Sequence, residues 1–140
     1  MLELGNLMRG GCMTFALHLH RRSRLPLFGL FDESGRLHHA GVGEESASVL
    51  YDGRGPVPID LFHFWRGIPC AGDRLEVISP DDVKAALAED HLPVYSRQAM
   101  DAYMMRTGLF TQMPIMPLPS RGKAQPKVIP PALCPITPSL

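Results

Sequence analysis

The sequence predicts an α+β domain: an N-terminal helix packed on a small antiparallel sheet, then C-terminal helices and a Pro-rich extended tail. Three observations carry this expectation. Residues 12–22 place Phe15, Ala16 and Leu19 at helical spacing and close on the basic run His20-Arg21-Arg22. Three short apolar runs follow, at 25–31, 37–42 and 47–52, separated by the turn-like stretches Asp32-Glu33-Ser34-Gly35-Arg36 and Gly43-Glu44-Glu45-Ser46. Beyond Met113 lie Pro114, Pro117, Pro119, Pro126, Pro130, Pro131, Pro135 and Pro138, eight of the fourteen prolines, which forbid continuous helix or a central strand.

Taken in order, the helix from Cys12 leads into an antiparallel meander of about three strands. The first of these carries Leu25-Pro26-Leu27-Phe28-Gly29-Leu30-Phe31, too apolar for a solvated edge along its whole length. After Gly53-Arg54-Gly55-Pro56, residues 59–65 read as a short helix capped near Asp60, with Phe62, Phe64 and Trp65 as a lid over the sheet. Residues 76–78 read as a further short strand. Ser79-Pro80-Asp81-Asp82 opens a helix with a serine cap, proline in the first turn and acids that complement the dipole. Val83, Ala86 and Leu87 face inward from it. A last helix over 96–106 stops at Gly108. Residues 1–110 thus form the compact domain and 111–140 the tail, whose scattered Ile, Leu, Val and Met side chains suit docking on a groove.

Composition narrows the function classes. The chain has 140 residues, is 45% apolar, and balances 14 basic against 14 acidic side chains. No global field therefore draws it to nucleic acid or to anionic lipid. Glu3, Asn6 and Arg9 interrupt the N-terminal apolar residues, so neither a signal peptide nor a membrane span is expected, and the chain is placed in the cytoplasm. Cys12, Cys70 and Cys134 cannot all pair and show no ligand spacing, so no metal or organic cofactor is implied. His18 and His20 lie two apart on the helix and point to different faces, which denies them a shared metal.

The chemistry-bearing residue is Cys12, which follows Gly10-Gly11 and opens the apolar helix. A helix N-terminus offers unpaired N–H groups and the positive end of the dipole, and both favour a thiolate. An imidazole in reach would take or hold the proton, and a third polar group would fix the ring. His38 and His39 lie on the strand Leu37-His38-His39-Ala40-Gly41-Val42, and Asp52 ends Val49-Leu50-Tyr51-Asp52. Adjacent strand residues face opposite ways, so only one of the two histidines can meet Cys12. A helix-start cysteine followed by a strand histidine and an acid on the next strand is the order of a thiol hydrolase.

These motifs, Asn6 six positions before Cys12, then His39-Ala40-Gly41-Val42, then Leu50-Tyr51-Asp52-Gly53-Arg54-Gly55, resemble the core of the papain-like superfamily over about residues 5–70. The likeness is to its compact transglutaminase-like and cell-wall peptidase-like forms, including small bacterial and phage members. The resemblance implies Cys12 as nucleophile, His39 as base, Asp52 as the orienting acid and Asn6 as oxyanion donor in place of the more usual Gln. It implies a cysteine hydrolase or acyltransferase acting on an amide or related acyl bond of a protein or peptide. The other reading is a non-catalytic papain-like shell that binds a protein partner as an inhibitor or assembly factor. Each residue also has an ordinary use: cysteine is often buried, Asp52-Gly53 is turn chemistry, and Arg54 is a surface arginine or a receptor for carboxylate or phosphate.

Overall fold

The structure, a computed structural model, describes residues 1–44, 46, 48–62 and 72–113. Its organising element is helix α2, Cys12–Ser23, in which every side chain from Cys12 to Leu19 is buried. The sequence predicts one apolar face on this helix. It is instead covered all round, with strands β1 (Leu27–Phe31), β2 (Leu37–Gly43) and β3 (Val49–Asp52) on one side and helices α1 (Leu4–Met8), α4 (Pro80–Glu89) and α5 (Arg97–Thr107) on the others. A helix apolar on every side belongs in the middle of a fold. It ends where Arg24 turns left-handed (φ 64°) and its N–H bonds the His20 carbonyl at 2.8 Å. The Ser23 hydroxyl donates to the Leu19 carbonyl, and His20 Nδ1 donates to the Leu25 carbonyl at 2.7 Å, fixing the exit toward the sheet.

The sheet has five antiparallel strands in the order β4-β3-β2-β1-β5: β1 Leu27–Phe31, β2 Leu37–Gly43, β3 Val49–Asp52, β4 Gly55–Pro58 and β5 Arg74–Ile78. The expected meander is present and is widened at both edges. Strand β4 was hidden by Pro56 and Pro58, which lack the N–H of a ladder. They are tolerated because β4 lies at the edge, with both prolines exposed while Gly55 and Val57 turn inward. Between Leu30 and Phe31 the register shifts, with Leu30 opposite His39 and Phe31 opposite Leu37, so His38 is the bulged residue.

Two apolar clusters cover the two faces of the sheet. Leu27, Leu37, Ala40 and Val42 pack with α2 and the other helices, whereas Phe28, Leu30, Leu50 and Val57 pack with Phe62 of α3, Ile59–Phe62. Helix α4, Pro80–Glu89, starts as predicted, with Ser79 accepting from Asp82 N–H and the Asp82 carboxylate accepting from Ser79 N–H. Helix α5 spans Arg97–Thr107, with Ser96 as its cap, and stops at Gly108 in the left-handed region (φ 82°).

Two short helices escaped the sequence reading. Helix α1, Leu4–Met8, has only five residues and an interior glycine, and depends on a capping box between Glu3 and Asn6. Helix α6, Leu109–Gln112, continues past position 110, and Met113 after it is buried, so the packed part runs to at least residue 113. The expectations for residues 63–65, for Cys70 and for the tail with Cys134 lie outside the described residues. Among the described residues no helix is long and apolar enough to cross a membrane.

Strand β2 sits under Phe62 without room to spare. A Cβ at Gly41 would lie 2.7 Å from the Tyr51 carbonyl oxygen and 2.9 Å from the Phe62 ring, while one at Gly5 of α1 would meet nothing within 4 Å. Gly41→Ala should therefore lower the unfolding free energy by about 1–3 kcal/mol. Gly5→Ala should raise it by about 0.5–1 kcal/mol, since a helix-interior glycine is replaced in open space. Urea titrations of the two variants read both signs.

Candidate functional site

Cys12 is the first residue of α2, and the chain reaches it through a tight approach. Gly10 is left-handed (φ 97°), and a Cβ at Gly11 would lie 2.5 Å from the Asn6 carbonyl oxygen and 2.7 Å from the Tyr95 ring. The sequence expectation of a thiolate is overturned here. The residue is only 5% exposed. Burial pushes its thiol up to about 11, against backbone hydrogen bonding at Ala40, Cys12 and Met13 that favours the ionised form, and the Asp52 charge pushes the same way as burial. The resting group is a neutral thiol.

Asn6 does not point its amide at Cys12. Its side-chain oxygen accepts from the Glu3 N–H at 2.9 Å in the α1 capping box, and the residue is exposed. Its link to the Cys12 approach runs through the backbone: the Gly11 N–H donates to the Asn6 carbonyl at 3.0 Å. The expected oxyanion donor is thus a capping residue.

His39 and Asp52 do meet. His39 Nε2 donates to Asp52 Oδ2 at 2.9 Å, with both side chains buried. Arg54 closes on the same carboxylate from the β3–β4 turn: its backbone N–H reaches Oδ1 at 2.8 Å, its Nε lies 3.2 and 3.1 Å from the two oxygens, and its Nη2 reaches Oδ2 at 2.6 Å. Burial works to raise the Asp52 pKa, but the bonds from His39 and Arg54 outweigh it and hold the carboxyl below its ordinary value. Burial also holds His39 below the ordinary imidazole value, with Asp52 only partly offsetting it. The imidazole is neutral at pH 7 and donates through Nε2.

The His39 ring stands on the face of β2 away from Cys12. The His39 ring lies 5.0 Å from the Phe62 ring, centroid to centroid, and Phe62 belongs to the cluster opposite α2. Cys12 belongs with Ala40 to the cluster on the α2 side. The two-residue period of β2 therefore sets His39 on the side opposite Cys12, so the imidazole expected to meet the thiol does not, while the Asp52 charge still acts on Cys12.

His38 is on the other side of that pleat. A cavity of about 300 Å³ is lined by Cys12, Met13, His38, Leu37, Arg36 and Asp90, among others, so the thiol and this imidazole share one cleft. His38 Nε2 lies 3.4 Å from Asp73 Oδ1, with side-chain exposures of 12% and 2%. Asp73 stands just before β5 and was missed, because Gly72-Asp73 reads as turn chemistry and the pairing of β5 with β1 is a long-range event. At the mouth, Arg36 Nη2 pairs with Asp90 Oδ1 at 3.1 Å.

A second buried histidine lies elsewhere. His18 Nε2 is 2.7 Å from Asp101 Oδ1, an anchor of α2 to α5 that Arg22 joins at 3.5 Å. Among the described residues no group of three or more His, Cys, Asp or Glu side chains could hold a metal ion. The chain matches no family model, and no curated protein or solved structure matches it significantly.

The buried pair makes stability acid-sensitive. His39 titrates near 6.5 when unfolded and lower when folded, so below about pH 6.5 the unfolded chain takes up the proton first and stability falls as pH drops. Asp52, held below its unfolded value of about 3.9, adds stability that is full above that pH and is lost as pH falls through its lower folded value. The urea midpoint should therefore be level above pH 7 and decline below about 6.5. His39→Gln should flatten the upper part of that decline, leaving the same-signed share of His18. Asp52→Asn should cost about 3 kcal/mol at pH 7, the lower end for breaking a buried pair, because Arg54 keeps partial access to water.

Proposed function

We propose that the chain is a cysteine-dependent hydrolase or acyltransferase acting on an amide or related acyl bond, with Cys12 as nucleophile and His38, not His39, as its base. The observation that carries this reading is the shared cleft: a cysteine at the start of a buried helix and a strand histidine line one cavity, and an acid stands behind the histidine. Of the segments that resemble papain-like proteins, the helix-start Cys12 supports this reaction class, whereas His39 and Asp52 of the other two are not in the cleft.

Because the thiol rests neutral, His38 acts as a general base as attack proceeds and not as the partner of a preformed thiolate. The Cys12 sulfur bonds to the acyl carbon and its proton passes to the imidazole. The carbonyl oxygen gathers negative charge beside the N–H groups at the start of α2, which carry the positive end of the dipole. His38 then returns the proton to the leaving nitrogen or oxygen, and water or a second nucleophile, deprotonated by the same ring, releases the acyl group. Asp73 is the residue that orients the imidazole.

One observation favours the alternative, a shell of this shape that binds a protein partner without chemistry: Cys12 is 5% exposed and its thiol is pushed up to about 11. The two readings separate in an acylation assay with p-nitrophenyl acetate, followed by mapping of the modified peptide. An active site acylates Cys12 and releases nitrophenol, and Cys12→Ser abolishes both. His38→Ala should slow acylation by about 10²–10⁴-fold, the usual worth of a general base, and His39→Ala by far less. Acylation indifferent to His38→Ala would sink the assignment of the base, and none at Cys12 would favour the binding shell.

A further inference from the structure

The His39–Asp52–Arg54 network takes no part in the cleft chemistry, yet it keeps a carboxylate inside the fold. Such a group is stabilising only when its bonds are complete, and apolar replacements of the same shape commonly do as well. What this one does is immobilise an arginine. The Nε and Nη2 edge of Arg54 is held side-on by Asp52, His39 holds the carboxylate from behind, and the Nη1 end is left directed away from it. Arg54 is the member of the network that reaches the surface, with a quarter of its side chain exposed.

It reaches the surface in a cavity of about 330 Å³ between the β3–β4 turn, α1 and α5, and a second guanidinium lines the same cavity. Arg106 is also tethered: its Nη2 donates to the Leu2 carbonyl, and its guanidinium carbon lies 5.5 Å from the centre of the Tyr103 ring. Thr107 and the Gln112 amide complete the polar wall. Among the described residues Glu3 is the one acid of this wall, and its charge reaches Tyr103 there. Two guanidiniums line one cavity, and although Asp52 already balances the charge of Arg54, their planar N–H edges match the oxygens of a carboxylate or phosphate.

We infer that this cavity is a receptor for an oxyanion, a phosphate or carboxylate group of a small ligand, gripped by Arg54 and Arg106, with Asp52 and His39 as positioning residues for Arg54. The site is separate from the Cys12 cleft and stands whether or not the thiol is catalytic. The full chain, with its arginine side chains labelled with ¹⁵N, is titrated with inorganic phosphate and, separately, with acetate, against chloride at matched ionic strength. The Nε–H signals of Arg54 and Arg106 should move together and saturate with one of the two anions, and the tighter anion tells a phosphate-bearing ligand from a carboxylate-bearing one. Arg106→Gln, at an exposed position, should weaken that binding about tenfold, as the loss of a charge-assisted bond does. Arg54→Lys keeps the charge but loses the fork and should weaken it comparably. Shifts that fail to saturate, that chloride reproduces, or that persist with unchanged affinity in Arg106→Gln overturn the receptor.

Discussion

Burial of α2 against β2 is the constraint from which the rest of the molecule follows. A helix whose first eight positions are all inside must begin inside, and so Cys12 at its start is inside as well. The two influences on that thiol then differ in size. A helix terminus favours a nearby charge by about 0.3–1 kcal/mol at an exposed site, whereas removing an ion from water costs several kcal/mol. Burial wins, and the cysteine that a helix start would ionise is kept as a thiol. The same packing sets the other half of the site, because β2 lies directly beneath α2 and its pleat sends His38 to one side and His39 to the other.

What the sequence made legible was the local part of this. Ser79-Pro80-Asp81-Asp82 states a helix start in side-chain chemistry alone, and Gly108 states a stop, so both ends are found where they were expected. The α+β architecture also followed, since helical spacing at 12–22 and short apolar runs between turn-like stretches are properties of single segments. Features that need a distant partner followed only in part. Residues 76–78 were expected as a strand and are one, but its start at Arg74 and its place beside β1, with Leu75 opposite Leu30 and Val77 opposite Phe28, were not legible, nor was β4, which keeps two prolines because it lies at the edge.

The site was legible in its residue types and not in its geometry. Cys12, a strand histidine and acids were all identified, but choosing between His38 and His39 needs the phase of β2 relative to α2. The bulge at His38, one residue long, resets that phase at the N-terminal end of the strand. Asp52 was placed beside His39 by simple cross-strand reasoning, and they do bond, since the register that sets Val42 opposite Tyr51 brings Asp52 opposite Gly41, which shares a face with His39 two residues away. Asp73 carried no signal of its own: an acid after a glycine is ordinary turn composition, and its place near His38 arises when β5 joins β1.

The turn after β3 shows why the ordinary reading and the functional one need not compete. Asp52 receives the Arg54 N–H two residues on, which is what an aspartate before a glycine does in a turn, and that bond alone would account for it. A solvated turn aspartate would do this with its other oxygen in water. Here that oxygen lies inside, bonded to His39 and to the Arg54 guanidinium, so the turn is tied to the core by side chains as well as by its own backbone. Gly55 turns the chain back with a left-handed φ of 94°, and Gly53 is close enough to Leu7 that a Cβ there would fall 2.9 Å from its side chain. The flanking glycines let the hairpin tip pack against α1 while the arginine between them faces outward. The carboxylate is thus bound by local turn geometry on one side and by the core on the other, and Arg54, caught between, is fixed more firmly than either could fix it alone.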